Sequence, residues 1–371
     1  MGKKVCILTS VHLPFDTRIF HKQAKSLVTA GYDVTLIAQH DKDEVVDRIK
    51  IISLPKAKNR FWRMVGTWRV FKLAYGQRAE VYHFHDPELL PVGLFLKLLK
   101  RGKVIYDVHE DYPKEILTKY WLPSISRKPL SCLFNFIEKS ASCRLDFIIA
   151  VTDGLRAEFK KGKRATVRNY PILEDIQPER RFELQNPSLI YAGSLTEIRG
   201  IGEIVQAMEH VDPSKNIKLI LCGTFSPESY EQKVRRLKGF EKVEYVEWVK
   251  QEEVWLKLSH ATIGIVCFHP TLNHINSMPN KLFEYMAAGL PVIASNFPLW
   301  KEIIEGDNCG LTVNPLDPSE IARAIEYLLE HPDEARRMGE NGRKAVIEKY
   351  NWETESKLLL RVYDDLLKEG R

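Results

Sequence analysis

The stretch NSMPNKLFEYMAAGLPVIASNFP, residues 276–298, reads as a turn, a short helix and a strand. A helix is expected from about Pro279 to Ala288. Pro279 suits a first turn, where a missing N–H costs nothing, and Ser277 can cap it. Gly289 ends the helix and Pro291 prevents its continuation. PVIAS then has the apolar, β-branched character of a buried strand. Upstream, ATIGIVCF is a strand ending near Phe268, followed by a loop. Strand, loop, helix and strand in that order form the unit of a parallel α/β sheet. The polar residues of the helix are not those of a purely structural one. Lys281 lies in the first turn, where the helix dipole disfavours a cation unless an anion is bound. Glu284 lies three residues on, where a carboxylate can accept hydrogen bonds from a ribose diol. The plainer reading is an exposed i,i+3 ion pair.

The same alternation extends in both directions. KVCILTS, YDVTLIAQ, IKIISLP, VYHFH, KVIYDVH and FIIAVT read as strands before residue 170. SLIYAGS, IKLILCG, VEYVEWV, ATIGIVCF, PVIAS and GLTV follow a Pro- and charge-rich stretch from Tyr170 to Pro187. Amphipathic segments separate them, as between Arg18 and Ala30. Two such arrays predict two doubly wound α/β domains, over residues 1–170 and 186–349. The segment from Tyr350 to Lys368 is helical in pattern and has no strand after it, so it must pack on something already formed.

Composition agrees with a globular chain. The 371 residues are 44% hydrophobic and 28% charged. No run approaches the roughly 20 apolar residues of a membrane span. The N-terminus enters a strand-like run with no signal-peptide core. Cys6, Cys132, Cys143, Cys222, Cys267 and Cys309 are scattered with no CxxC, which reads as reduced buried thiols in a cytosolic compartment. The net charge of +6 conceals an asymmetry. Residues 1–170 carry 31 Lys and Arg against 17 Asp and Glu; residues 171–371 carry 24 against 32. The basic half points to an anionic partner there, or else simply offsets the acidic half. The segment 56–78 has seven basic residues and no acid, with Trp62 and Trp68 among them. That mixture suits the interface of an anionic bilayer, against the alternative of a helix covering the sheet with its charges in water. No nucleic-acid recognition motif accompanies the charge.

Together, HLPFDTRIFHKQAKSLVTAGYDVTLI, VYHFHDPELLP, VIYDVHEDYP, YAGSLTEIRGI and KLFEYMAAGLPVIAS resemble retaining glycosyltransferase family 4, over nearly the whole chain. The resemblance implies the α/β GT-B fold, with two Rossmann-like domains facing across a cleft and the terminal helix, 350–371, returning to the first. It also implies transfer of a hexose-type sugar, with retention, from a UDP- or GDP-linked donor to an acceptor hydroxyl. Cell-surface glycan or glycolipid assembly, at a peripheral site on the inner face of the cell membrane, would be the setting. Alternatives on the same fold are a nucleotide-sugar 2-epimerase and a nucleotide-binding subunit without turnover.

Residue by residue, Glu284 matches the glutamate that holds the donor ribose, and Arg199 the cation on the diphosphate. Gly193 lets the backbone approach the phosphates. Ser194 stands where many members have a second arginine, a charge Lys281 can supply. Asn280 and Leu282 flank Lys281 on the donor side. His109 matches a histidine near the transferred sugar. Asn276 replaces the first glutamate of the motif and brings no negative charge. Asp16, Arg18 and His85 fall on the acceptor side; for the first two, a capping aspartate and a solvated arginine is the equal alternative. The acids of HEDYP include candidate general bases, although the departing phosphate can take the acceptor's proton in such an enzyme. His83, His85, Asp107 and His109 have the residue types of a zinc site, but the resemblance implies neither a metal nor a cofactor.

Overall fold

The computed structural model describes residues 2–56, 59–100, 102–119, 122–175, 186–247 and 251–368. Contacts divide the chain into two compact units: Met1–Asn169 with Trp352–Arg371, and Tyr170–Asn351.

The first unit is built on strands β1 (Lys4–Leu8), β2 (Asp33–Gln39), β3 (Glu44–Val46), β4 (Ile49–Leu54), β5 (Val81–Phe84), β6 (Lys103–Val108), β7 (Phe147–Ala150) and β8 (Arg164–Thr166). Their order is β3-β4-β2-β1-β5-β6-β7-β8, parallel except for the β3–β4 edge pair. The second unit holds β9 (Ser188–Ala192), β10 (Lys218–Cys222), β11 (Val243–Val246), β12 (Ile263–Val266), β13 (Val292–Ser295) and β14 (Gly310–Val313), in the order β11-β10-β9-β12-β13-β14. Strands such as VCIL, SLIYA and IGIV are buried along nearly their whole length, because helices cover both faces. In each unit the strand order reverses beside the first strand, between β1 and β5 and between β9 and β12. Crevices for ligands form beyond the strand ends at such switch points.

The terminal helix Trp352–Lys368 packs on the first unit. Its Trp352 indole donates to Ser26 Oγ at 2.9 Å, and Glu355 accepts from the Arg168 N–H at 2.8 Å. Tyr363 is fully buried, with its hydroxyl 2.8 Å from His83 Nδ1. No described helix is long and apolar enough to cross a membrane. All six cysteines are free; Cys132 and Cys143 are exposed, which corrects the expectation of buried thiols, because both sit on outward positions of or beside the helix Ser124–Ser142.

Candidate functional site

In the second unit, β9 leads into Gly193, whose φ of +134° strongly favours glycine. A Cβ there would also lie 2.9 Å from Lys281 Nζ. The following turn, Glu197–Arg199, ends at Gly200, where φ is +71° and a Cβ would meet the Cys267 carbonyl at 1.9 Å. These two glycines let the loop after β9 close down on the end of β12. Arg199 is thereby set over Phe268, its guanidinium 4.8 Å from the ring centre.

Lys281 reaches the same place from the helix Asn280–Ala287. Its amine is 5.3 Å from the centre of the Phe268 ring and 5.1 Å from that of Tyr191. Among the described residues no carboxylate forms an ion pair with Arg199 or Lys281. Burial, then repulsion from Arg199, brings the Lys281 pKa down to about 7, against the pull of Glu284. Two cations held side by side over one aromatic ring, beside a glycine backbone and a helix N-terminus, form an anion-binding arrangement.

Other expected residues of this region are placed less uniformly. Ser194 is exposed, and its carbonyl accepts from the Tyr191 hydroxyl at 3.2 Å. Asn276 closes the short helix Leu272–Ile275 and is exposed. Asn280 and Glu284 are half-buried on the helix that carries Lys281. Leu282 must be corrected: its side chain is wholly buried in the core and its N–H donates to the Pro279 carbonyl, so it seats the helix. Ser277 does not cap that helix either. Its hydroxyl donates to the His274 carbonyl, while the Ser277 carbonyl accepts from the Trp300 indole at 2.7 Å.

In the first unit the strand ends carry a buried polar cluster. Asp16 caps the helix from Thr17, accepting from the Arg18 and Ile19 N–H groups at 2.9 and 3.0 Å. This aims Arg18 inward. Its Nε and Nη2 donate to the two oxygens of Asp107 at 3.1 and 3.0 Å, and Nη2 also donates to the Val167 carbonyl. Gln23 adds a third donor to Asp107 at 2.6 Å. Burial opposes the charge on Asp107, but Arg18 and His109 prevail and hold its pKa well below the usual range. The expectation that Arg18 lines an acceptor pocket, or is solvated, is corrected: only 3% of it is exposed.

His85 needs the same correction. It is fully buried, with Nδ1 3.0 Å from His109 Nε2 and its ring stacked on His83 at 4.7 Å. Burial and the neighbouring His83 push its pKa well down, so it stays neutral and holds His109 from behind. His109 and His12, 5.6 Å apart between ring centres, form the accessible edge of the cluster. His12 pairs with Asp16 at 3.1 Å, which outweighs its burial and raises its pKa. Ligand atoms of His83, His85 and Asp107 lie within 4.8 Å of one another, close enough to share a metal ion. Both Asp107 oxygens, however, already accept from Arg18, whose guanidinium supplies the positive charge a metal would bring.

Several groups here escape the sequence reading. Phe268 and Tyr191 floor the cation pair, and Gln23 and Tyr363 complete the Asp107 cluster. Asp86 links the strand ends across the switch point, accepting from Thr9 Oγ1 at 2.8 Å and from the Ser10 N–H at 2.6 Å. The one available signal is position, since Tyr191, Phe268 and Asp86 all stand at or just past the ends of strands.

Comparison with known proteins bears directly on this arrangement. Residues 174–345 match the profile of Glycosyl transferases group 1, and residues 17–168 that of Glycosyltransferase Family 4. A mannosyltransferase of Mycolicibacterium hassiacum, MMP alpha-(1->4)-mannosyltransferase, is 23% identical over 312 residues, 80% of this chain and 73% of that one. Sucrose-phosphate synthase from Thermosynechococcus elongatus superposes with a TM-score of 0.81 at 19% identity, covering 100% of both chains. Anabaena HepE in complex with UDP and glucose gives a TM-score of 0.74 at 13% identity over 98% of this chain and 100% of that one. The fold is GT-B. The chain is a glycosyltransferase of the hexosyltransferase type.

Proposed function

We propose that the protein transfers a sugar, with retention, from a UDP- or GDP-linked donor to an acceptor hydroxyl in glycan or glycolipid assembly. The observation that carries this reading is the pair Arg199 and Lys281, which face one aromatic ring and make no close ion pair with a carboxylate among the described residues, Glu284 acting on Lys281 only from along its helix. A donor diphosphate supplies the missing negative charge. The Gly193 backbone approaches the same phosphates, beside Ser194 and Asn280, and Glu284 accepts from the ribose diol. The Anabaena complex with UDP supports a nucleotide of this kind.

In the reaction, the acceptor oxygen attacks the anomeric carbon as the bond from that carbon to the phosphate oxygen breaks. The departing phosphate oxygen takes the acceptor's proton on the same face, so no protein base is required. Arg199 and Lys281 stabilise the charge that grows on the diphosphate. His109, backed by His85 and Asp107, contacts the transferred sugar, and Asn276 hydrogen-bonds one of its hydroxyls. Asp16 acts at the acceptor side only through the helix it caps and through His12.

The setting is the cytoplasmic side of a membrane, touched peripherally by the segment 56–78; residues 57 and 58 of it lie outside the described residues. Exposed Trp62, Met64 and Trp68, with Arg69 and Lys72, support that contact. The test is incubation with UDP- and GDP-sugars, following nucleoside diphosphate release and the anomeric configuration of the product by proton NMR. A product with the donor's configuration is expected. An inverted product overturns retention, and the absence of release from every donor overturns the reading.

A further inference from the structure

A cavity of about 470 Å³ lies in the first unit, between the helix Arg60–Gln77 and the ends of β1, β2 and β4. Its volume is within the roughly 300–1,000 Å³ of small-molecule sites. Leu54, Trp62, Val65 and Val70 give it apolar walls. Three cations, Lys56, Arg63 and Arg69, line it as well, and no carboxylate is among the lining residues. Arg63 is held by Glu88 at 2.8 Å. Lys56 and Arg69 form no ion pair among the described residues.

The cavity is joined to the His109 cluster through its polar floor. Gln39 Nε2 donates to the Ser10 carbonyl at 2.6 Å. Ser10 in turn donates to Asp86, and Asp86 lies 3.7 Å from His12 Nε2. His12 shares the accessible edge with His109. An apolar chamber with cations and no acid on its walls, linked through Ser10 and Asp86 towards His12, suits a ligand with two unlike ends.

We infer that this cavity is the acceptor site and takes an amphiphilic anion, an apolar chain against Leu54, Trp62, Val65 and Val70 with a phosphate or carboxylate head on Lys56 and Arg69. The assignment of the site to an acceptor rests on the glycosyl-transfer reading above; the binding of an amphiphilic anion does not. A lipid phosphate and a free alkyl phosphate share this chemistry, and a monomeric probe separates the cavity from a bilayer surface.

Gly66 provides the clean variant. It lines the cavity, and a Cβ placed on it meets nothing within 4 Å. Gly66→Leu therefore adds an apolar side chain to the cavity wall with no clash at its Cβ, and leucine favours the helix more than glycine does. The probe is dodecyl phosphate below its micelle concentration, titrated by calorimetry, with dodecyl maltoside as the neutral-headed control. The parent is expected to bind dodecyl phosphate at one site, and Gly66→Leu to weaken that binding by about tenfold or more. Arg69→Gln, at an exposed residue with no close ion pair, is expected to weaken it by about three- to tenfold. Dodecyl maltoside should bind the parent about tenfold more weakly than the phosphate.

Failure of the parent to bind dodecyl phosphate, or equal binding by Gly66→Leu in a variant that melts no lower than the parent, overturns the inference. Equal binding of the two detergents overturns its anionic half. Titration of the parent with UDP and GDP is run alongside. A parent that binds dodecyl phosphate but neither nucleotide keeps the cavity site and loses the donor reading; the reverse loses the cavity site alone.

Discussion

The two strand-end clusters hold their charges in opposite ways. In the first unit, Arg18 and Asp107 meet through two hydrogen bonds near 3 Å, and the Val167 carbonyl and Gln23 take up more of their capacity. In the second, Arg199 and Lys281 lie over Phe268 and repel each other, with no ion pair to an acid among the described residues. Both clusters sit at the point where strand order reverses, so topology does not separate them. Partnering does. A buried charge with its counter-charge supplied by the chain is part of the scaffold. A pair of like charges held together without one is an arrangement that an anionic ligand would stabilise.

Removing a charge should therefore have opposite consequences in the two places. Asp107→Ala leaves the Arg18 guanidinium buried and unpaired, which costs about 3–5 kcal/mol. For a unit of this size that is a fall in Tm of roughly 6–20 °C. A loss below about 1 kcal/mol in denaturant unfolding would show that the pair is not structural.

Lys281→Met, by contrast, removes a repelled cation at nearly constant volume. Unfolding should then shift by no more than about 1 kcal/mol, in either direction. Affinity for UDP or GDP at neutral pH should fall by about ten- to a hundredfold. The sign of the pH dependence follows from the depressed pKa. Burial and Arg199 bring the Lys281 pKa down to about 7, and a bound diphosphate should raise it again. Binding then takes up protons, so the parent's affinity declines as pH rises from about 7 to about 9. The Lys281→Met protein should lack that decline, and calorimetry in buffers of different ionisation enthalpy measures the uptake directly.

A smaller and more selective effect is expected at Glu284, one turn along the helix. Glu284→Ala should weaken the complete nucleotide by about tenfold and pyrophosphate by much less. Equal losses for both ligands would remove the carboxylate from the ribose.

The weakest effect is expected on the outer face of the first unit. Lys72 lies 5.8 Å over the exposed Trp68 ring, outside the cavity wall. Together they add about 1–2 kcal/mol to any attachment to anionic lipid. Sedimentation of Trp68→Ser/Lys72→Ser with anionic vesicles at low salt should be reduced several-fold, and the parent's own binding should weaken as salt is added. A parent that never sediments would remove the membrane contact.

The contrast between the clusters also explains what the sequence disclosed. Runs such as VCIL, LILC and VIAS are legible because strands buried on both faces need continuous apolar residues. The edge strands Glu44–Val46 and Arg164–Thr166 are not legible, being three residues each and partly exposed. Position beyond a strand end, in the first turn of the next helix, flags Lys281, while the family resemblance flags Gly193 and Arg199, and the three do come together. The same rule flags Arg18 and His85, which turn inward. A one-dimensional pattern marks where a polar residue stands but not whether another chain segment has already met it. Gln23 and Tyr363, which help to seal the Asp107 cluster, are far from it in sequence and look like ordinary helix residues.

The central claim is that the like-charged pair in the second unit awaits a donor diphosphate. Calorimetric titration of UDP and GDP into the parent and into folded Arg199→Ala tests it most directly. The parent is expected to bind at least one of the two nucleotides, and Arg199→Ala to bind that nucleotide about ten- to a hundredfold more weakly with its unfolding transition unchanged. Unaltered affinity in Arg199→Ala would contradict the claim and place the diphosphate elsewhere.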